Sequence, residues 1–318
     1  MTDPRRARDV VCLGEPLVEF VRSEHAEIGA YYRPGFGGDT SNAAIAAARQ
    51  GARVGYLTAL GQDPFGDSVM ALWAEEGVDA AGVRRRQDAP TGIYFVDPHP
   101  SGRRFSYFRK GSAASFYGPD DLPRDYIAGA RALHLSAITQ AISPAMRDAS
   151  VAAMRTAREA GTLVSYDTNL RLALWPLEQA RATIAAALGM ADVVFPSEDE
   201  ALELWGLDEP DAVLDHVLGF GARIVALKRG DRGAVVATPD QRVAIPAAPS
   251  TPVDSTGAGD AFAGGFLARY LETGDPVEAG RYAARVAAGT VSGYGAVAPI
   301  PRRAELMPDA PTVTPARA

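Results

Sequence analysis

The chain has 318 residues, of which 47% are hydrophobic and 22% are charged, and its formal net charge is -7. This composition is typical of soluble globular proteins and argues against a largely disordered chain. The acidic balance gives no general attraction to nucleic acid or to an anionic membrane, although a few arginines can still form a local anion site. The length fits one large α/β domain or two small ones.

The cysteine and histidine content limits which disulfides and metal sites the protein can form. Cys12 is the single cysteine, which excludes an internal disulfide and a multi-cysteine zinc site and suits the cytoplasm. The four histidines are scattered without metal-ligand spacing: His25, His99, His134 and His216. The apolar run near the start is too short for a signal peptide, and no stretch approaches the roughly 18 apolar residues of a membrane span. We therefore expect a cytoplasmic protein with neither a membrane nor a nucleic-acid partner.

Short β-branched runs alternate with alanine-rich stretches of helical periodicity. The predicted strands, in chain order, are residues 9–14, 53–60, 132–136, 162–167, 192–196 and 223–228. The predicted helices are residues 40–51, 65–77, 143–161 and 176–189. This alternation predicts βαβ units and an α/β fold, with a mainly parallel central sheet flanked by helices on both faces. Ligands in such sheets bind beyond the carboxyl ends of the strands.

Two segments interrupt this alternation. Residues 91–97 and 103–111 predict a β-hairpin around the turn sequence PHPSG, and the region from about 15 to 36 is also poor in helical pattern. One interpretation is two separate surface excursions. The other is a small β-sheet lid, built from about 15–36 and 91–110, that closes over a site. We expect one domain over residues 1–318, with 308–318 as a flexible tail.

The clearest candidate for chemistry is the run Gly257-Ala258-Gly259, which stands directly before Asp260 and an apolar helix. Glycines at a helix start expose backbone N–H groups, and the helix dipole adds partial positive charge there. Such a turn suits a phosphate, and Asp260 could then accept a proton from a substrate hydroxyl. The plainer interpretation makes Asp260 an ordinary acid of the first helical turn. The P-loop pattern is absent, so a phosphate would be held in another way.

Four segments spread over nearly the whole chain carry a resemblance to one family. DSTGAGDAFAGGF resembles the C-terminal signature of the ribokinase-like (PfkB) sugar kinases, and GGDTSNAA at 37–44 resembles their N-terminal signature. PSEDE at 196–200 resembles the N-x-x-E motif, and LKRGDRG at 227–233 resembles the K-x-G-x-x-G strand and turn. Ser197 replaces the usual asparagine, and Ser255 stands where threonine is common. The resemblance implies a ribokinase-like fold with a β-sheet lid.

The resemblance also implies roles for individual residues. Asp260 would be the general base, and the N–H groups of Gly257, Ala258 and Gly259 would form the anion hole for a phosphoryl group transferred from ATP. Glu200, with Ser197, would order Mg²⁺ through water. The positions implied along the nucleotide are Ser197, Lys228, Gly230, Gly233, Gly257 and Gly259. Asp254 and Thr256 correspond to a loop that holds a monovalent cation such as K⁺ in many relatives.

The glycine pair Gly37 and Gly38 would allow close backbone approach to a sugar, and Asn42 offers an amide to sugar hydroxyls. An alternative function for this segment is a helix N-cap, supplied by one of Asp39, Thr40 and Ser41. Both functions can hold together.

Further along the chain, three side chains suggest what kind of sugar is bound. Tyr107 and Arg109 are two residues apart on a predicted strand, so both side chains face the same way. Arg171 follows the end of another predicted strand, and Tyr94 is an additional candidate for sugar contact, with packing in the small sheet as its alternative. Two arginines directed at one sugar suit a carboxylate better than a neutral sugar.

The segments YFRKGSAAS and DTNLRLALW together resemble the 2-keto-3-deoxygluconate kinase branch of the family. The substrate this implies is an acid sugar phosphorylated by ATP at its 6-hydroxyl. The alternatives are a neutral-sugar kinase such as a fructokinase, a catalytically silent sugar-binding relative, and a nucleoside kinase. Exposed strand edges of the lid favour a homo-oligomer.

Overall fold

The computed structural model describes residues 6–25, 29–99 and 102–306. In chain order the strands are β1 (Arg8–Leu13), β2 (Leu17–His25), β3 (Gly29–Gly37), β4 (Val54–Gly61), β5 (Val78–Arg86), β6 (Ile93–His99), β7 (Gly102–Phe108), β8 (Ala130–Ser136), β9 (Leu163–Asp167), β10 (Val193–Phe195), β11 (Ile224–Lys228), β12 (Ala234–Thr238) and β13 (Gln241–Ile245).

The α-helices are α1 (Asp39–Arg49), α2 (Pro64–Glu76), α3 (Arg124–Ala128), α4 (Ala137–Ala141), α5 (Pro144–Glu159), α6 (Leu177–Leu188), α7 (Glu198–Trp205), α8 (Pro210–Leu218), α9 (Ala258–Thr273), α10 (Pro276–Val291) and α11 (Arg303–Leu306). Short 3₁₀ turns lie at Ala113–Phe116, Pro119–Asp121 and Gly230–Arg232.

Nine strands form a central sheet in the order β13-β12-β11-β10-β9-β8-β1-β4-β5. The seven strands from β11 to β5 are parallel, and β12 and β13 add an antiparallel hairpin at one edge. All six predicted strands lie in the parallel part, so the predicted α/β architecture is confirmed. The prediction did not include β5 or the edge hairpin: β5 and β13 carry charged residues, whereas β12 has the apolar sequence AVVAT.

The two faces of the central sheet carry separate hydrophobic cores, because successive side chains of a strand point to opposite faces. On β1, Val11 and Leu13 pack with helices α5 to α8, whereas Val10 and Cys12 pack with α1, α2, α9 and α10. These strands are apolar on both faces, as is typical of a parallel sheet covered by helices on both sides. No helix within the described ranges is long and apolar enough to cross a membrane.

The remaining four strands form the small sheet, in the order β3-β2-β6-β7. Strands β6 and β7 are the predicted hairpin, and β2 from the helix-poor segment pairs with β6, so both irregular segments belong to one small sheet. Phe20 of β2 packs edge-on against Phe65 of α2, with ring centroids 5.8 Å apart. Whether this sheet moves as a lid stays a prediction, and the predicted tail 308–318 lies outside the described residues.

Helices α1 and α9 pack closely where a glycine allows it. A Cβ added at Gly264 of α9 would lie 2.2 Å from the Ala43 carbonyl oxygen of α1, so a larger residue would push the helices apart. Asp260 lies one turn before Gly264, and Asn42 directly precedes Ala43. The same close packing therefore brings Asn42 of α1 to Asp260 of α9.

Candidate active site

A cleft of about 1140 Å³ opens between the carboxyl ends of the parallel strands and the small sheet. Fifteen of the residues expected from the sequence line it: Gly38, Asn42, Tyr94, Tyr107, Arg109, Arg171, Ser197, Glu200, Lys228, Gly230, Thr256, Gly257, Ala258, Gly259 and Asp260. Three do not line this cleft. Gly37 is buried, Asp254 is buried beneath the loop before α9, and Gly233 borders a smaller cavity of about 100 Å³.

The turn into α9 has the form expected of an anion site. Gly257 has φ 76°, a left-handed conformation that favours glycine, and a Cβ there would come within 2.9 Å of Ala296. The Ala258 N–H donates to the Ser255 carbonyl oxygen at 3.2 Å, so this N–H is engaged within the turn. The N–H groups of Gly259 and Asp260 lie in the first helical turn, where the helix itself offers them no acceptor.

Two amides hold the carboxylate of Asp260. Asn42 donates from Nδ2 to Asp260 Oδ2 at 2.9 Å, and Asn169 donates from Nδ2 to Asp260 Oδ1 at 3.4 Å. Burial raises the pKa of Asp260 to about 8, and the negative charge of Asp39 adds to this rise against the effect of the Asn42 hydrogen bond. Asn42 Oδ1 is buried and has no partner among the described residues, so it can accept a hydrogen bond from a bound hydroxyl.

The helix-cap interpretation of residues 39–41 is wrong. The N-cap of α1 is Gly38, without a side-chain capping bond. The three polar side chains are instead engaged in tertiary contacts. Ser136 Oγ donates to Asp39 Oδ2, Thr40 Oγ1 and the Tyr56 hydroxyl lie 2.6 Å apart, and Trp73 Nε1 donates to Ser41 Oγ at 3.1 Å.

Lys228 forms a buried ion pair at the floor of the cleft. Its Nζ donates to both carboxylate oxygens of Asp167, at 2.9 and 2.7 Å, and lies 3.5 Å from where a Cβ of Gly259 would be. Burial lowers the pKa of Lys228, but the charges of Asp167 and Glu200 outweigh burial and raise it. Burial raises the pKa of Asp167 to about 6 although Lys228 opposes the rise. A positive group therefore stands directly under the turn into α9.

Glu200 and Ser197 form a capping box at the start of α7. Ser197 N–H donates to Glu200 Oε2 at 3.2 Å, and Glu200 N–H donates to Ser197 Oγ at 3.4 Å. Glu200 also accepts hydrogen bonds from Thr168 Oγ1 at 2.7 Å and from the Leu170 N–H at 3.2 Å. These bonds fix one carboxylate at the mouth of the cleft.

Arg109 is not a free cation in this structure. Its Nε donates to Glu15 Oε2 at 2.7 Å, and the two side chains form an ion pair. The other oxygen of Glu15 accepts a hydrogen bond from Ser112 Oγ at 2.5 Å. Glu15 is 2% exposed, and Arg109 supplies the positive charge beside it while Ser112 supplies a further hydrogen bond. Arg109 still lines the cleft, but its positive charge is paired with the carboxylate of Glu15.

Arg171 differs from Arg109 in exposure and pairing. Its side chain is 55% exposed, its Nη1 donates to the Leu170 carbonyl oxygen at 2.7 Å, and Glu200 Oε1 lies 4.0 Å away. This guanidinium therefore keeps most of its donors toward the open cleft. Such a donor set can meet an anionic group of a bound molecule.

The two expected tyrosines stack on each other, with ring centroids 5.5 Å apart. The Tyr94 hydroxyl donates to Glu19 Oε2 at 2.6 Å, and burial together with the Glu19 charge raises the pKa of Tyr94. Tyr107 is 49% exposed, and it extends the aromatic wall toward solvent. The small sheet thus contributes an aromatic wall with a fixed hydroxyl. Tyr94 packs within the small sheet as its alternative interpretation holds, and its contact with a sugar stays a prediction.

The loop before α9 is braced by Asp254. Thr256 donates from its N–H and its Oγ1 to Asp254 Oδ1 at 3.0 and 2.7 Å, and the Gly295 N–H donates to Asp254 Oδ2 at 2.9 Å. These bonds tie residues 254–256 to the segment that contains Ala296, which packs against Gly257.

Among the acidic and amide side chains that sequence reasoning did not place in the site, four hold expected site residues or one another: Glu15, Asp39, Asp167 and Asn169. A signal existed for two of them. Asp167 and Asn169 stand at the carboxyl end of a predicted strand, which is the same rule that selected Arg171. Glu15 and Asp39 have no comparable local signal, because their partners Arg109 and Ser136 are 94 and 97 residues away.

Comparison with known proteins matches this architecture to one family. The model of the pfkB family of carbohydrate kinases matches residues 7–303. A 2-dehydro-3-deoxygluconokinase of Thermoproteus tenax is 36% identical over 305 residues, which cover 93% of each chain. Fructokinase-1 of Zea mays is 35% identical over 314 residues, which cover 94% of this chain and 96% of the relative.

Among solved structures, a putative ribokinase II of E. coli in complex with ATP and Mg²⁺ has a TM-score of 0.87. It is 26% identical and covers 95% of this chain and 98% of its own. The ribokinase-like fold expected from the signature segments is therefore confirmed. With the family model spanning nearly the whole chain and relatives above 30% identity, this protein belongs to the pfkB family of carbohydrate kinases.

Proposed function

We propose that this protein is an ATP-dependent 2-dehydro-3-deoxygluconokinase. Its substrate would be 2-dehydro-3-deoxygluconate, also called 2-keto-3-deoxygluconate, phosphorylated at the 6-hydroxyl. The observation that carries the proposal is the arrangement of Tyr107, Arg109 and Arg171 around the cleft that ends at Asp260. Arg171 supplies the open guanidinium for the sugar carboxylate. Asn42 and Tyr94 would contact the sugar from α1 and from the small sheet, and Gly38 would admit it close to the backbone.

In this proposal Asp260 is the general base. It takes the proton of the 6-hydroxyl as that oxygen attacks the terminal phosphorus of ATP, and the bond from that phosphorus to the bridging oxygen of ADP breaks. The N–H groups at the start of α9, at Gly257 and Gly259 above all, and the Lys228 ammonium below them would stabilise charge on the transferring group. Asn42 keeps the carboxylate in place while its own Oδ1 accepts from the sugar.

The residues present fit ATP and Mg²⁺. The glycine turn before the 16-residue helix α9 leaves room for phosphate oxygens, with Lys228 beneath it. No cluster of three metal-ligating side chains occurs within the described ranges, which suits Mg²⁺ held by phosphates, water and one carboxylate such as Glu200. Bound Mg²⁺ would neutralise phosphate charge.

Ser197, Gly230 and Gly233 would lie along the nucleotide, and the cavity beside Gly233, lined mostly by alanines, suits its apolar base.

Two finer assignments follow from the same family membership. Asp254 and Thr256 would order a loop for a monovalent cation such as K⁺ next to the anion turn. The small sheet would pair with a second copy of the chain, because β3 and β7 are open edges that carry exposed aromatic side chains.

A fructokinase is the competing function, and one specific observation favours it. Glu15 compensates the charge of Arg109, so the sugar end of the cleft is less positive than two free arginines would make it. A neutral sugar would then need no further cation. The name fructokinase also occurs among relatives of similar identity, as in Zea mays.

The experiment that separates the two functions is a kinase assay with ATP and Mg²⁺ on 2-keto-3-deoxygluconate and fructose. We expect wild type to prefer the acid sugar in kcat/KM. Arg171→Ala should lower that value by roughly 10-fold or more, because a charge-assisted contact to the carboxylate is lost, and should leave residual activity on fructose nearly unchanged.

Asp260→Asn should lower kcat on both sugars by about 100-fold or more.

Wild-type preference for fructose would overturn the acid-sugar assignment. Equal losses of kcat/KM on both sugars in Arg171→Ala would show that this arginine does not bind the sugar carboxylate. Near-normal turnover by folded Asp260→Asn would remove Asp260 from the role of base.

A further inference from the structure

We propose that Asp39 is a positioning residue for the phosphoryl-transfer base: a second carboxylate, coupled to Asp260 through Asn169, whose charge strengthens the hold of Asp260 on the proton that it takes from the sugar. This inference rests on the proposed role of Asp260 as the base. It assigns no contact between Asp39 and the reacting atoms.

The coupling is visible in one shared hydrogen-bond donor. Asn169 Nδ2 lies 3.4 Å from Asp39 Oδ2 and 3.4 Å from Asp260 Oδ1, so a single amide nitrogen stands between two carboxylates. Asn169 is itself 5% exposed and is held by a hydrogen bond from its N–H to Asp167 Oδ1 at 3.1 Å. The bridge is therefore built into the end of β9.

Asp39 is fixed independently of Asp260. It is the first residue of α1, directly after Gly38, and its Oδ2 accepts from the hydroxyl of Ser136 at the end of β8. Both of these donors, Ser136 and Asn169, are neutral. The negative charge of Asp39 is thus held near Asp260 without a cation in direct hydrogen-bond contact.

Other charged groups near Asp260 largely offset one another. The titratable groups around Asp260 are Asp39 from α1, Tyr94 from β6, Asp167 from β9, Glu200 from α7 and Lys228 from β11, with Arg109 and Arg171 farther along the cleft wall. Lys228 pairs with Asp167 at 2.7 Å, and Arg109 pairs with Glu15. Tyr94 stays a neutral phenol. Glu200 lies 4.0 Å from Arg171. Among these carboxylates Asp39 is therefore the one without an ion pair to any described residue.

Two like charges that share a site oppose each other's ionisation. Asp39 therefore favours the protonated form of Asp260, and the pKa of Asp260, raised to about 8 by burial first and Asp39 next, agrees in direction. A base with a higher proton affinity takes the hydroxyl proton more readily at the transition state, at the cost of being protonated over a wider acidic range. The expected effect of removing the charge is a shift in the acid limb of the pH profile of kcat/KM, without a general loss of substrate binding.

The test is the pH dependence of kcat/KM in wild type and Asp39→Asn, measured on whichever sugar the wild type phosphorylates best. We expect the acid limb of the variant to move to lower pH by roughly 1 unit, because a repelling charge has gone. We also expect the alkaline plateau to fall, because Asp260 has become a weaker base.

Two variants separate charge from shape. Asp39→Glu keeps the charge and should keep the limb within about 0.3 pH units of wild type. Ser136→Ala removes the hydroxyl that holds Asp39 but leaves its charge, so its limb should not move to lower pH. A limb that stays in place in Asp39→Asn, or one that moves equally in Asp39→Glu, would overturn the proposal. An increase in KM without a shifted limb would make Asp39 a sugar contact instead.

A second readout does not depend on turnover. In protein with ¹³C-labelled aspartate carboxyls, without nucleotide or sugar, the Asp260 signal is the one that is absent from Asp260→Asn. Its titration midpoint should move to lower pH in Asp39→Asn. If neither sugar is phosphorylated, the proposed function fails, and this titration still decides whether Asp39 acts on Asp260. An unchanged midpoint would reject the coupling.

Discussion

At the scale of single residues, the cleft is built from charged side chains that hold one another. Lys228 pairs with Asp167, Arg109 pairs with Glu15, and both carboxylate members are almost fully buried. Buried charges of this kind need partners, because an unpaired charge removed from water is costly. The pairing has a consequence for mutational tests, since removing one member leaves the other uncompensated.

Arg109→Ala should therefore lose stability as well as any role in sugar binding. Glu15 would remain buried and unpaired, and breaking a buried pair costs about 3–5 kcal/mol in free energy of unfolding. Arg171→Ala, whose side chain is 55% exposed, should cost less than about 1 kcal/mol. Urea unfolding of both variants measures the difference.

The double variant Arg109→Ala with Glu15→Gln supplies the control. Because it removes the orphaned charge, it should recover a large part of the stability that Arg109→Ala loses. If the double variant is as unstable as the single one, the loss comes from packing around Arg109 and not from the unpaired carboxylate of Glu15.

At the scale of elements, the small sheet forms the second wall of the cleft. Tyr94 and Tyr107 line the cleft from β6 and β7, and the sheet packs against the body through Val18, Phe20 and Ile93, with Phe20 edge-on to Phe65. An element whose strands pair with one another and not with the central sheet can change its position when a ligand fills the space beneath it.

We expect bound sugar to order the small sheet. Hydrogen exchange in residues 15–36 and 92–110 should slow when a sugar that the wild type phosphorylates is added, while exchange in α5 on the far side of the central sheet should not change. With 2-keto-3-deoxygluconate, the protection should be smaller in Arg171→Ala at the same concentration, because less sugar is bound. Equal exchange with and without sugar in both segments would show a fixed wall.

At the scale of the whole molecule, exposed aromatic residues are concentrated on the small sheet. Tyr32, Phe105 and Phe108 are 45%, 44% and 63% exposed, and β7 is an open edge. Long apolar edge strands tend to pair with other strands, and in a native protein a second copy of the chain is the simplest partner.

We therefore expect a dimer formed through the small sheet. Light scattering should give about twice the chain mass of 33.5 kDa at micromolar concentration. Phe108→Lys should shift the mass toward the monomer. The control is Leu202→Lys on α7, where another large apolar side chain is 56% exposed on an element outside the small sheet. A monomeric wild type, or equal effects of the two variants, would contradict this interface.

Local pattern in the sequence determined the main architecture. The six apolar runs that became β1, β4, β8, β9, β10 and β11 are short and continuous, and each is followed by a helical or turn signal. The glycine turn before Asp260 could also be predicted, because a helix start with exposed N–H groups is a property of neighbouring residues. Of the fifteen expected residues in the cleft, Arg171, Ser197 and Lys228 lie there because the carboxyl ends of parallel strands meet at one edge of the sheet.

Only the tertiary structure decided how those residues are paired. Asn42 reaches Asp260 across 218 residues of sequence, and Arg109 reaches Glu15 across 94. The sequence marks Arg109 as a cation and Asp39 as a helix-start acid, but it carries no local trace of a partner so far along the chain. Electrostatic and hydrogen-bond energies depend on distance in space, which periodicity does not encode. The pairing of Arg109 with Glu15 and the contacts that Asn42 and Asn169 make with Asp260 and Asp39 were therefore decided by tertiary packing.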